Sequence, residues 1–500
     1  MVEKFKYLGR RSLDVAWVAV IVLLPLTSQP LLSRLAGNTM VAPASFIPLL
    51  WIILFWFIYY LIKRGRIPRE TLPFLFFITV GLVSSAYAFF LDTPPFKGGN
   101  LLGEEIRTLL TLAIGTSFYL VTSSWLSQSR SRLESTLKWI NVGGILLLLW
   151  AFVQAVIIYL FNGRYPAIVD NIQHLVSSGN LFPTRITSFA FEPSWLGQQL
   201  NLLFIPFWFA ATINRWSAFR FRLWKISLEN FLLGFGVVAL FLASRVGTLS
   251  LLLVIAFLVI NLNVYLARRI HAWSIVRFFK YPSFIQKILH TLLPGIIVLG
   301  FLGIYVLVAL ALVRVLTYIE PRFAVFFEIQ TWAHLKFLTS NIYVLFNYLQ
   351  FAERYVYWTV GWNIFNAHPI LGVGLGNAGF YFQRYLPAYG WSLPEVMQIY
   401  LREVALPNIK SLWVRLLAET GIVGFSSFFA WCYVMLRTAW SMRLNSNKLF
   451  KVIGWCGLFV LVAFITEGFS TDTFALPYLW VSLGIVSAAG ALLRNPKAEA

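Results

Sequence analysis

Residues 226–266 read ISLENFLLGFGVVALFLASRVGTLSLLLVIAFLVINLNVYL, and Glu229 and Arg245 are the only charged side chains among them. The two apolar runs, 226–244 and 247–266, each approach the roughly 20 residues that carry a helix across the hydrocarbon of a bilayer. Between them stand only Arg245 and Val246. In lipid a backbone must satisfy its own hydrogen bonds, so such a pair reads as a helical hairpin with one cation at its tip.

Outward from this hairpin the same reading gives twelve spans: 14–32, 44–62, 71–91, 107–126, 139–161, 193–213, 226–244, 247–266, 291–313, 412–436, 451–466 and 474–493. Composition agrees. Hydrophobic residues make up 59% and charged residues 12% of the 500, against about a quarter charged in a soluble domain. The 46 Phe and 20 Trp suit a chain solvated by lipid, with aromatic rings at its interfaces. The expected fold is an all-α polytopic integral membrane protein of about 12 transmembrane helices. Residues 1–313 carry spans one to nine, 314–411 form a large loop, and 412–500 carry spans ten to twelve. Cys432 and Cys456 lie in apolar runs, so neither a disulfide framework nor a zinc site is expected. The five His are dispersed and call for no metal.

The net charge of +21 is read as topology. With the N-terminus in the cytoplasm, 26 of the 40 basic and 6 of the 19 acidic residues fall on the cytoplasmic side, a net +20, which leaves +1 outside. That is the positive-inside distribution. It places both termini in the cytoplasm and needs no nucleic-acid partner. The basic N-terminus with its apolar run has no small-x-small cleavage site and reads as the uncleaved first span.

The outside face carries the chemistry. Residues 323–365 are aromatic and apolar at helical spacing, the pattern of amphipathic helices on a membrane surface. Gly and Pro cluster over 366–394 and mark turns. A second outside loop covers 162–192. Arg185, Arg245, Arg314, Arg322 and Arg354 all stand at outer span ends or in the large loop. Charge near membrane depth is costly and marks function by default, and the guanidinium fork matches phosphate oxygens. The plainer alternative is that each arginine snorkels to the interface.

Four segments read together. They are Arg185-Ile-Thr-Ser-Phe-Ala-Phe-Glu192-Pro193-Ser194; Ser244-Arg245-Val-Gly247; Arg354, Trp358, Gly361 and Trp362 followed by His368-Pro369-Ile-Leu-Gly372-Val-Gly374-Leu-Gly376-Asn377; and Ser411-Leu-Trp-Val-Arg-Leu-Leu-Ala-Glu419-Thr-Gly421-Ile-Val-Gly424. The set, over about 183–430, resembles the bacterial O-antigen ligase and O-antigen polymerase superfamily. The resemblance implies a metal-independent, cofactor-free glycosyltransferase of the GT-C type, acting on glycans carried by undecaprenyl diphosphate, with the large loop roofing a lateral cleft. Carried over residue by residue, Arg185, Arg245 and Arg354 bind the lipid diphosphate.

Ligases of that superfamily hold a His-Asn pair nine residues before the glutamate of the fourth segment. Here that position is Lys410-Ser411. With Glu-Pro-Ser in the first segment, this favours a polymerase that joins repeat units into O-antigen or exopolysaccharide at the outer face of the bacterial cytoplasmic membrane. Its partners would be membrane lipids, the lipid-linked oligosaccharide, a flippase and a chain-length regulator. A ligase transferring glycan to a lipid A-core or protein acceptor is the same-class alternative. A bicarbonate or lipid-linked sugar transporter is the alternative of another class, although no internal repeat of the transporter kind is visible.

The chemistry needs fixed cations for the departing diphosphate and a base for the attacking hydroxyl. Arg185, Arg354 and Glu192 are expected to carry the reaction, with Lys410 an added cation. Glu192 and Arg185 would lie two turns apart on a helix. Pro193 suits a first helical turn, so Glu192 either caps that helix or serves as the base. Glu353, Glu419 and Glu467 are the other carboxylates at this level. Gly372, Gly374 and Gly376 lack the surroundings of a nucleotide-phosphate loop and read as a tight turn for close backbone approach, a structural motif shared with Glu419 and Gly421. His368 reads as a structural hydrogen-bonding residue.

Overall fold

The structure is a computed structural model that describes residues 2–35, 40–97, 99–219, 222–223, 226–278, 283–319, 346–347, 351–401 and 406–495. The chain is a helical membrane protein. The helices used below are α1 (Val2–Val22), α2 (Phe46–Ile62), α3 (Leu72–Ala88), α4 (Leu101–Leu126), α5 (Arg130–Leu160), α6 (Pro193–Ile213), α7 (Leu228–Ala243), α8 (Arg245–Phe278), α9 (Ser283–Ile319), α10 (Ala352–Ala367), α11 (Leu412–Met442), α12 (Lys448–Glu467) and α13 (Tyr478–Arg494). Seven helices are long and apolar enough to cross a membrane: Arg69–Ala88, which ends as α3, α4, α5, α6, the Arg245–Trp273 part of α8, α11 and α12. Shorter apolar helices are α2, α7, α13 and Gly295–Val308 within α9. Strand structure among the described residues is a two-residue ribbon, Arg222–Leu223 against Ile226–Ser227.

The run 14–32, expected as the first span, is not one helix. α1 stops at Val22. Pro25 has no N–H to give and restricts Leu24. The chain then extends, with Gln29 N–H donating to Ala42 O (2.9 Å) and Ala42 N–H to Thr27 O (3.0 Å). The hairpin at 226–266 forms as α7 and α8, with Ser244 extended between them (φ −134°, ψ 127°). α8 and α9, at 34 and 37 residues, outrun the expected spans. At about 1.5 Å per residue each exceeds the roughly 30 Å of hydrocarbon.

Two helices widen into π turns, Ile53–Phe57 in α2 and Leu200–Phe204 in α6. The second has a visible cause. Pro206 cannot donate to the carbonyl four residues back, and the Ser482 hydroxyl of α13 donates to that Leu202 carbonyl instead (2.5 Å). A freed backbone group in a membrane helix needs such a neighbour.

The chain divides into two units. The first comprises 1–251, 360–385 and 404–500, the second 252–359 and 386–403. In the first, α11 packs between α3 and α12, and α13 lies along α4. Their aromatic side chains fill the centre, with Phe74 5.3 Å from Tyr119 and 4.8 Å from Trp431, and Trp431 stacked on Trp480 at 5.5 Å. Small residues admit large ones: Trp208 of α6 lies against Gly144 of α5 and Gly236 of α7, and its Nε1–H donates to Asn141 Oδ1 (2.9 Å). Lipid offers no hydrophobic drive between helices, so close packing and such hydrogen bonds hold them. Connecting segments meet where Ser28 pairs with Ser178, Thr93 with Tyr381 and Asn408 with Asp472, and ion pairs join Asp14 of α1 to Arg132 of α5 and Glu70 to Arg494 of α13.

In the second unit, the start of α10 packs on the segment 386–401. The Tyr357 hydroxyl donates to Glu395 Oε1 (3.1 Å) and Tyr355 stacks on Tyr389 at 6.3 Å. Of the stretch 323–365 expected as surface helices, 323–345 and 348–350 lie outside the described residues, as does Arg322. Within α10 the buried residues Ala352, Val356, Val360 and Ile364 recur every fourth position.

Candidate functional site

The segment 185–192 is not helical, so Arg185 and Glu192 are not two helical turns apart. Ser188 takes a positive φ of 50°, and side chains from other elements claim its backbone. Gln154, in the last two turns of α5, accepts from the amides of Thr187 (2.9 Å) and Ser188 (2.8 Å). Gln154 and Gln173 amides both donate to Ser188 O (3.2 Å each), and Phe191 N–H donates to Thr27 Oγ1 (2.9 Å). Thr187 and Ser188 are fully buried, so these bonds replace those of a helix. Gln154 and Gln173 were not singled out in the sequence, although an amide at Gln154, inside an apolar span, is the kind of residue that marks such a role.

The first two sequence segments meet. Ile186 N–H donates to Leu242 O (3.3 Å) at the end of α7, and Gly197 of α6 abuts Ser244 and Gly247. Arg185 and Arg245, both half-buried, therefore stand on neighbouring strands of chain at one end of the bundle. Arg185 has no hydrogen-bond or ion-pair partner among the described residues. Glu192 takes the N-cap position of α6 with extended backbone (φ −146°, ψ 162°) and Pro193 follows at the first turn. Its carboxylate makes no bond to the helix amides and instead accepts from the Ser194 hydroxyl. Beside this corner an apolar groove of about 300 Å³ runs between α5 and α7, lined by residues such as Leu149, Phe152, Phe235 and Val238, and it includes Ile186 and Leu242.

The third and fourth segments also meet, for a different purpose. Gly372, Gly374 and Gly376 have φ of 69°, 89° and 85°, which glycine alone adopts freely. Val373 and Gly374 amides donate to Ala418 O (3.0 Å) and Glu419 O (2.9 Å). The Glu419 carboxylate is met by the Gly376 and Ala378 amides and by Arg415 Nε at 3.0 Å from each oxygen. The anion cradle of this turn is thus filled by the protein's own carboxylate. Glu419 and Arg415 are 3% and 9% exposed, and Arg415 also donates to Asp472 O.

α11 is broken at Gly421 (φ 61°, ψ −166°). The freed Ile422 and Val423 amides donate to Pro369 O (2.8 Å) and Ile370 O (3.3 Å). This conformation is nearly exclusive to glycine, and a Cβ would collide with the Ile370 carbonyl. Gly421→Ala is expected to destabilise the protein by roughly 3 kcal/mol or more, combining backbone strain with overpacking. A thermal-unfolding series in detergent checks it, with Gly9→Ala, which meets nothing within 4 Å inside α1, as a control expected to lose no stability.

Lys410 adopts a positive φ of 51° and its amide donates to Asn408 Oδ1 (2.9 Å). The next residues tie to the end of α12, with Leu412 N–H donating to Gly468 O (2.8 Å). Glu467 is 1% exposed. Glu353 and Arg354 lie on α10 within the second unit, and Arg314 is exposed on α9. The His368 ring lies 5.6 Å from Tyr381. Burial, then the Arg384 guanidinium, hold its imidazole below the usual range, and burial pushes the Tyr381 phenol up. Among the described residues no group of three or more His, Cys, Asp or Glu converges.

Of the sequence-expected residues, then, Arg185, Glu192 and Arg245 gather at one corner. Gly372, Gly374, Gly376, Glu419 and Gly421 build one structural joint. The chain matches no family model and no curated protein.

Proposed function

We propose that the chain is a glycosyltransferase that polymerises oligosaccharide repeat units carried on undecaprenyl diphosphate, at the outer face of a bacterial cytoplasmic membrane with both termini inside. The observation that carries this reading is the corner where Arg185, Arg245 and Glu192 gather. Ile186 and Leu242, which line the apolar groove, are one and three residues from the two arginines. A polyprenyl chain lying in the groove brings its diphosphate to them.

In the reaction the acceptor hydroxyl oxygen attacks the anomeric carbon of the donor glycan. The bond from that carbon to the diphosphate oxygen breaks, and the hydroxyl proton passes to the Glu192 carboxylate. Undecaprenyl diphosphate leaves with its charge held by Arg185 and Arg245, with Lys410 as a further cation of the same reading. Fixed cations aimed at developing charge are the largest single contribution such a site makes.

The test uses the purified protein in detergent with a lipid-linked repeat unit. A ladder of lengthened glycan on the lipid is the expected product. Transfer only to an added lipid A-core or protein acceptor makes it a ligase. No new glycosidic bond with any acceptor removes the glycosyltransferase reading and leaves transport.

A further inference from the structure

Glu467 ends α12 deep inside the first unit. At 1% exposure it meets no substrate, and among the described residues no cation pairs with it. An ionisable group in such a place is costly, and its partners show what it does. Glu467 Oε1 accepts from Asn201 Nδ2 (2.7 Å), the same nitrogen donates to Gly247 O (2.8 Å), and the Ser250 hydroxyl of α8 also meets the carboxylate. Asn201 lies in the π turn of α6, and such widened turns recur at functional sites. Gly247 in turn closes the turn that begins α8. Its amide donates to Ser244 Oγ (3.0 Å), and Thr248 N–H donates to Ser244 O (2.9 Å). Arg245 sits inside this turn, and Gly197, five residues after Glu192, rests on it.

We propose that Glu467 is a positioning residue: through Asn201 it holds the turn Ser244–Thr248, and with it Arg245, against the helix that Glu192 begins. Both hydrogens of the Asn201 amide are then committed to fixed acceptors, one on each side of the joint. Removing the carboxylate leaves a buried N–H unpaired and frees the amide to turn away from Gly247. The consequence for diphosphate rests on the glycosyltransferase reading, whereas the consequence for the turn does not.

Two readouts on the full-length protein in detergent keep these apart. Amide exchange at Gly247 and Thr248 reads the turn, and the KM for the lipid-linked donor reads the site. Glu467→Ala is expected to speed exchange there by about tenfold or more, the worth of leaving one buried amide unpaired. Glu467→Gln, which keeps an acceptor oxygen, stays within about threefold of wild type. Asn201→Leu reproduces the alanine result even where Glu467→Ala fails to fold, and adding Glu467→Gln to it changes exchange by less than the sum of the two single effects, as expected for residues in contact. Donor KM rises about tenfold in Asn201→Leu with kcat held within about twofold, the split that marks lost binding rather than lost chemistry. Wild-type exchange in both Glu467→Ala and Asn201→Leu overturns the proposal. So does a Glu467→Gln protein as fast-exchanging as the alanine variant, because the charge and not the hydrogen bond would then be at work. Faster exchange with unchanged donor KM upholds the positioning of the turn and counts against the diphosphate site.

Discussion

Polymer formation, on the proposed function, is expected to fall by roughly 10²–10³-fold in Arg185→Ala, the loss seen when one preorganised charge-stabilising group is removed from an active site. Arg185 is the sharper probe of the two corner arginines because it has no protein partner among the described residues. Truncating it breaks no ion pair, so protein abundance and melting temperature stay at wild-type values. Arg245→Ala should lose activity comparably, with a small cost in stability from the turn it occupies. Lysine at either position restores part of the activity, since it returns the charge without the planar fork. The measurement is initial rate on purified lipid-linked repeat unit, with protein level read in the same sample. Wild-type ladders from Arg185→Ala take that residue out of the site.

The second large effect is on the proton. Glu192→Gln keeps the shape and still accepts from Ser194, but it cannot take a proton from the acceptor hydroxyl. Turnover is expected to fall about 10²–10⁴-fold, the usual worth of a general base, with donor KM nearly unchanged. The other carboxylates are worse placed. Glu419 is clamped by Arg415 and two amides, and Glu467 is enclosed. Lys410→Ala should show the opposite pattern, a raised donor KM with turnover largely kept. If Glu192→Gln polymerises at close to the wild-type rate, Glu192 serves only the start of α6, and Glu353 becomes the carboxylate to test.

Much of the helical layout was legible because lipid leaves a backbone few choices. Apolar runs of the right length became α3 to α7 and α11 to α13, with ends shifted by up to nine residues at the start of α5. The gathering of Arg185 with Arg245 was only half legible. Residue types marked both, but Gln154 and Gln173 bend the intervening chain, and the bonds they make join residues far apart in sequence. The π turn in α6 shows the same limit. Pro206 announces a missing donor, yet the Ser482 hydroxyl that compensates for the Leu202 carbonyl lies 280 residues away in sequence. The three glycines of the tight turn announced a close approach, but their partner, the carboxylate of Glu419, is set by tertiary packing alone.

The break at Gly421 has a consequence for how the protein is made. The Ile422 and Val423 amides find acceptors only in Pro369 and Ile370, which leave the ribosome first. A nascent α11 in lipid with that stretch not yet docked would carry bare amides, each costing several kcal/mol in hydrocarbon. Docking of the preceding segment is therefore a precondition for settling α11, and formation of the C-terminal helices is ordered by a single backbone joint.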